Sequence, residues 1–146
     1  MGCRGVNRVV IAVCDIEQGI SLYSNLLGTT FEDISWTGSL FGISVAISWE
    51  AGIELCAPLP DRDSVVSQFL EQNGEGVMSV VFQVQEIEEA KAQAEGAGVP
   101  AIVPINFSQE EIDEHLGGHF TTYKEYVLNS LEPCGFGVML GQFDPK

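Results

Sequence analysis

Two segments of the chain, residues 6–28 and 76–98, follow the same plan of an apolar strand, an acidic helix start, an amphipathic helix and a closing glycine. The triplet Asp15-Ile16-Glu17 aligns with Glu86-Ile87-Glu88 at an offset of about seventy residues. This repeat limits the fold more than any other feature, because both copies must build the same structural unit.

The first copy shows each of these elements clearly. Residues 9–13 form a β-branched run that predicts a buried strand. Asp15 is expected to cap the following helix and Gly28 to end it. Four apolar residues recur along this helix at spacings of three and four, and they predict one stripe that packs on a sheet: Ile16, Ile20, Tyr23 and Leu27.

The second copy repeats the plan in residues 77–84, a strand, followed by a helix that stops at residues 96–98. The apolar stripe of this helix consists of Ile87, Ala90, Ala94 and Ala97. Three further strands are expected after each copy, at residues 31–36, 41–49 and 52–57 and at residues 99–105, 123–129 and 136–142.

The expected fold class is therefore α+β, with two βαβββ modules that form a cup-shaped curved sheet. We expect a single domain over residues 1–146, with the modules at 5–59 and 76–146. A linking helix is predicted within 60–75, beginning at Asp63 or Ser64 and ending at Asn73-Gly74. Residues 106–122 have no counterpart in the first module, and we expect this insertion to form a loop that acts as a lid.

Composition excludes several classes of function. The formal net charge of −15 argues against partners with phosphate backbones or anionic lipids, so neither a nucleic acid nor a membrane is expected. No long apolar span or signal-like segment is present, which favours a cytoplasmic protein. The four cysteines lie far apart, without a Cys-x-x-Cys pair, and are interpreted as reduced thiols.

Four stretches carry a resemblance to a known family: residues 7–13, 22–28, 53–59 and 69–77. They resemble the vicinal oxygen chelate superfamily, which includes glyoxalase I, bleomycin resistance proteins and extradiol dioxygenases. The linking helix and the second repeat are most similar to the methylmalonyl-CoA epimerase branch. The resemblance covers almost the whole chain outside the insertion.

The resemblance implies a divalent metal held in the cup by one side chain from each of four strands. These four positions fall on Arg8, Glu54, Ser79 and Gly141 in this chain. A guanidinium is always protonated and cannot ligate a metal, and glycine has no side chain, so only Glu54 suits the role. We therefore expect the metal site to be absent, with no cofactor in its place. The family's last-strand glutamate also serves proton transfer, and Gly141 cannot.

Arg8 and Glu54 are then the leading site residues, because an ion pair between them would lie where the metal would have been. As a functional pair, Arg8 would orient a carboxylate, enolate or carbonyl oxygen, and Glu54 would act as acid or base. As a structural pair, the two would only satisfy each other's charge. Further ligand-contacting candidates are Ser79, Met139, Gly141 and Trp49, with Gly141 expected to widen the cup and Met139 to give it an apolar wall.

His115 and His119 are the only histidines, and they are spaced as on one face of a helix within the expected lid, but Gly117-Gly118 between them weakens any helix there. A ligand pair, an acid or base on the lid, and ordinary surface residues are all open interpretations.

The leading hypothesis is a metal-independent protein that binds a small, mostly apolar organic ligand, either as an isomerase or lyase built on Arg8 and Glu54 or without catalysis. One alternative is a drug-sequestering protein similar to the bleomycin resistance proteins, with a cationic ligand bound in an acidic groove lined by Trp36 or Trp49. Others are a dimerisation scaffold, and a metal-dependent glyoxalase or epimerase if the strand register differs. Exposed sheet faces of paired modules favour a homodimer.

Overall fold

This computed structural model describes residues 2–145. The chain folds into two compact units. The first unit is Arg8–Met78, and the second contains the residues up to Asn7 together with those from Ser79 onward. Each unit has a four-stranded sheet with a helix after its first strand. The predicted α+β class and the two βαβββ modules are therefore confirmed.

Four strands and one long helix form the first βαβββ module, which lies in the first unit from Arg8 onward: β1 (Cys3–Ala12), α1 (Ile16–Leu27), β2 (Glu32–Asp33), β3 (Ile43–Ser48) and β4 (Ile53–Pro58). The strand order is β2-β3-β4-β1, with β1 parallel to β4 and the other neighbours antiparallel. The helix α1 packs on one face of this sheet, over a core of Ile11, Val13, Ile53, Leu55 and Ala57.

The capping residues predicted at both ends of α1 are present. The Asp15 side chain accepts a hydrogen bond from the Gln18 amide, and Gly28 adopts a left-handed conformation with φ 66°. The stripe is shorter than predicted, because Ile16, Ile20 and Tyr23 pack on the core whereas Leu27 is 50% exposed. Leu27 is the last residue of the helix, where the chain turns away at Gly28.

The strand predicted at residues 31–36 is wrong in most of its length. Only Glu32–Asp33 pairs with β3, and two short 3₁₀ turns follow at Ser35–Thr37 and Ser39–Phe41. The Asp33 carboxylate accepts a hydrogen bond from the Ser35 amide, which turns the chain out of the sheet. Trp36 consequently lies in a turn and not at the end of a strand.

The linking helix is α2 (Val65–Asn73), which begins and ends as predicted. Ser64 caps it through a reciprocal pair of hydrogen bonds with Ser67, and Gly74 follows its last residue. Val66 lies on the apolar face of α2 and is buried. None of the helices within residues 2–145 is long and apolar enough to span a membrane.

The second unit repeats the first with β5 (Gly76–Val84), α3 (Ile87–Gly96), β6 (Ala101–Asn106), β7 (Phe120–Leu128) and β8 (Gly137–Pro145). Its strand order is β5-β8-β7-β6, with β5 parallel to β8. A short helix, α5 (Leu131–Cys134), precedes β8. The two modules that repeat in the sequence therefore also share their strand order and strand direction.

The insertion at residues 106–122, which was expected to be a loop, contains a helix. This helix is α4 (Gln109–His115), capped by Ser108, and the insertion ends inside β7. Ile112 and Leu116 are buried, and α4 packs on β7 of the same unit. The insertion has apolar anchors of its own, which explains why its seventeen positions form a packed element.

Candidate functional site

The strand register places Arg8 and Glu54 on one face of the first unit. Val10 on β1 pairs with Glu54 on β4, and Arg8 precedes Val10 by two residues, so all three side chains lie on the same side. This face is opposite to the one covered by α1. Arg8 Nε donates a hydrogen bond to Glu54 Oε1 at 2.7 Å, with the two side chains 3% and 13% exposed. The predicted ion pair is therefore present.

Both oxygens of the Glu54 carboxylate are engaged. Cys56, two residues further along β4, donates its thiol hydrogen to Glu54 Oε2 at 3.3 Å. On the other side of the pair, the Arg8 guanidinium carbon lies 5.8 Å from the centre of the Trp49 ring. Of the ligand-contacting candidates predicted in this unit, the structure thus brings Arg8, Glu54 and Trp49 together, and it adds Cys56.

The other predicted candidates lie in the second unit, on one face of its sheet. Ser79, Val81 and Gln83 on β5 pair with Gly137, Met139 and Gly141 on β8. On β1, Arg8 lies two residues before Val10, which pairs with Glu54. On β5, Ser79 lies two residues before Val81, which pairs with Met139, so the two arrangements correspond. The second unit therefore carries a hydroxyl and a thioether at the positions where the first unit carries an ion pair.

Gly141 does not widen this face, and that expectation is corrected. A Cβ atom built on Gly141 would overlap the ring of Phe143, two residues further along β8. Phe143 is itself 5% exposed, and its ring centre lies 4.7 Å from that of Tyr123. The space beside the glycine is filled by an aromatic ring.

The donor set does not fit the metal that the family implies. Arg8 is a cation that repels a metal, Glu54 is already bonded through both oxygens, and Gly141 offers no donor atom. Within residues 2–145, no group of three histidine, cysteine or acidic side chains is placed to hold a metal ion.

Glu125 on β7 is a site candidate that sequence reasoning missed. It is 4% exposed, and with Arg8 it is one of two charged residues that are buried in the described part of the chain. Its strand partner is Gly141, so its side chain lies on the same face as Ser79 and Phe143. The sequence did carry a signal for its burial. Glu125 lies between the apolar residues Tyr123 and Val127 at a spacing of two, and residues two apart share a face of a strand.

The two histidines do not share a helical face, because the helix ends between them, where Gly117 and Gly118 were expected to weaken it. His115 is the last residue of α4, and Gly117 and Gly118 follow with φ of 66° and 68°. These left-handed conformations end the helix before His119. His115 is exposed and lies 3.6 Å from the carboxylate of Glu114.

Comparison with known proteins agrees with this architecture. The family model described as Glyoxalase/Bleomycin resistance protein/Dioxygenase superfamily matches residues 5–139. Methylmalonyl-CoA epimerase from Mycobacterium tuberculosis has a similar structure, with a TM-score of 0.76 and 22% identity over 98% of this chain and 90% of that one. A Streptomyces coelicolor methylmalonyl-CoA epimerase variant bound to 2-nitronate-propionyl-CoA has a TM-score of 0.75 and 18% identity over 96% and 97% of the two chains.

A hypothetical protein from Bacillus halodurans C-125 is similar as well, with a TM-score of 0.72 and 20% identity over 97% of this chain and 95% of that one. No curated protein matches the sequence. At these identities the solved structures show a shared fold. Because the family model covers most of the chain, the protein belongs to the Glyoxalase/Bleomycin resistance protein/Dioxygenase superfamily.

Proposed function

We propose that this chain is a metal-independent member of its superfamily that binds a small, mostly apolar organic ligand on the face carrying Arg8 and Glu54. The observation that supports this proposal is the 2.7 Å ion pair at two positions where the resemblance implies metal ligands. A guanidinium fixed there supplies the positive charge that a metal would otherwise supply.

We propose isomerase or lyase chemistry for this ligand, with Arg8 stabilising negative charge on a carbonyl or carboxylate oxygen. Glu54 would exchange a proton with the ligand. The fold is shared with methylmalonyl-CoA epimerases, which supports the isomerase class without naming the substrate. A homodimer located in the cytoplasm remains our prediction for the assembly.

The first experiment measures metal content and metal response. Protein purified without a histidine tag is analysed for bound metals, and its melting temperature is followed with nickel, cobalt, zinc and magnesium. We expect no stoichiometric metal and no shift, because one engaged carboxylate cannot hold a divalent ion. Stoichiometric metal with a clear shift would overturn metal independence and support a metal-dependent glyoxalase or epimerase.

The second experiment tests Arg8 with three probes of similar shape: phenylacetate, neutral benzyl alcohol and cationic benzyltrimethylammonium. Binding is followed by NMR in the wild type, in Arg8→Met and in Arg62→Met, a control in which Arg62 donates only to the Ser39 carbonyl at the surface. We expect phenylacetate binding to be lost in Arg8→Met alone. Unchanged binding with a large drop in melting temperature would show that the pair is structural.

A further inference from the structure

A small hollow lies at the edge of the first unit, where β2 and the end of β3 meet. Its volume is about 230 Å³, and it is open to solvent. The wall residues include Thr30, Phe31, Glu32, Ile47, Trp49 and Glu50. The volume is below that of a typical drug pocket, so it suits one ring with a short arm.

The floor of the hollow is fixed by hydrogen bonds. Ser48 also lines it, and its Oγ lies 2.6 Å from Thr29 Oγ1 with both residues buried. Ser48 Oγ also accepts a hydrogen bond from the Ala51 amide. These bonds hold the turn after β3, and with it the backbone of Trp49, in one place.

The side walls combine aromatic and acidic groups. Trp49 is 37% exposed, so part of its indole surface is open to solvent, and Phe31 is partly buried beside it. Glu32 and Glu50 are both exposed, and no basic residue lines the hollow. Aromatic faces and carboxylates each attract organic cations.

We propose that this hollow binds an organic cation, an ammonium group attached to a small apolar or aromatic body. The ring would pack on Trp49 and Phe31, and the ammonium would lie against Glu32 and Glu50. The net charge of −15 raises the local concentration of such a ligand. Trp49 is shared with the Arg8 site, since the Arg8 guanidinium carbon lies 5.8 Å from the centre of its ring, but cation binding in the hollow does not require Arg8 to orient an anion.

The test uses the wild-type chain, Arg8→Met and the same three probes. The indole N–H signals of Trp36 and Trp49 are assigned with Trp36→Phe and Trp49→Phe variants, and the Trp49 signal is followed during each titration. We expect saturable shifts with benzyltrimethylammonium in the wild type and in Arg8→Met, at least tenfold weaker binding of benzyl alcohol, and weaker cation binding as salt rises. A phenylacetate shift that Arg8→Met abolishes belongs to the Arg8 site, because Trp49 also lies beside that guanidinium. No saturation, or equal binding of the neutral probe, would overturn the proposal.

A double variant, Glu32→Gln with Glu50→Gln, measures how much the two carboxylates contribute to the affinity for the cation. We expect its affinity for the cation to fall about tenfold, because the variant loses two charge contacts that are exposed to solvent. The matched control is Glu17→Gln with Glu89→Gln, two exposed residues on α1 and α3 outside the hollow, and its affinity should stay within twofold of wild type. Equal affinity of the two double variants would overturn the proposal, whereas loss of phenylacetate binding in Arg8→Met bears only on the proposed function.

Discussion

The ring of Phe143 occupies the space that any side chain at Gly141 would need. The position to which the resemblance assigns the family's last-strand glutamate therefore has no room for a side chain. A carboxylate introduced there would first have to displace a ring that is 5% exposed and packed on Tyr123.

We expect Gly141→Ala to lower the free energy of unfolding by about 2 kcal/mol, because the added methyl overlaps the Phe143 ring. Adding Phe143→Leu should recover part of this loss. Urea denaturation measures both. The control is Gly76→Ala, since a Cβ built on Gly76 has no neighbour within 4 Å. Equal effects at the two glycines would show that the packing argument is wrong.

Arg8→Ala should destabilise the fold by about 3 kcal/mol, because it leaves the Glu54 charge largely buried without this partner. Replacing both residues by apolar ones, Arg8→Met with Glu54→Leu, should restore much of the stability. Thermal and urea unfolding of Arg8→Met, Glu54→Leu and the double variant give the coupling energy. Additive effects would contradict a direct pair.

The pKa of Tyr126 is raised above its ordinary value, first because its hydroxyl donates to Glu88 Oε1 at 2.7 Å, and then through burial and the charges of Glu88 and Glu95. The hydrogen bond favours the neutral phenol, so its contribution to stability is complete at neutral pH and is lost as the pH rises above about 10 through the folded pKa. Ultraviolet titration of the tyrosines should show a late-ionising group that Tyr126→Phe removes. Glu88→Gln should lower that pKa, and an unchanged titration would exclude the hydrogen bond as its cause.

Ile112→Ala tests whether the insertion is a packed element. Ile112 is 1% exposed, so its truncation should cost about 2 to 3 kcal/mol, whereas Ile102→Ala at a residue 57% exposed should cost less than about 0.5 kcal/mol. Amide exchange in α4 should be slow in the wild type and fast in Ile112→Ala. Fast exchange in both proteins would support the lid that the sequence predicted.

Features encoded in neighbouring residues were predicted well. Asp15 and Ser64 begin helices because their side chains bond to amides three residues away, and Gly28 and Gly74 follow the helix ends. The Arg8–Glu54 pair was predicted from the resemblance to the family, which places both residues at converging positions, together with the alternation along β1.

Features that depend on packing were missed. The expected strand at residues 31–36 gives way to 3₁₀ turns, and Gly38 between them packs so closely on Ile43 and Val45 that it leaves no room for a side chain. The burial of Glu125 and the position of Phe143 over Gly141 depend on how β7 and β8 pair, and periodicity does not determine that register.

The second unit is discontinuous, since it combines the residues up to Asn7 with those from Ser79 onward. The amide of Gln85 donates to the carbonyl of Gly2, so this unit includes a contact between residues about eighty positions apart in the chain. The second unit therefore cannot close on local contacts alone, because it needs chain from both sides of the first unit.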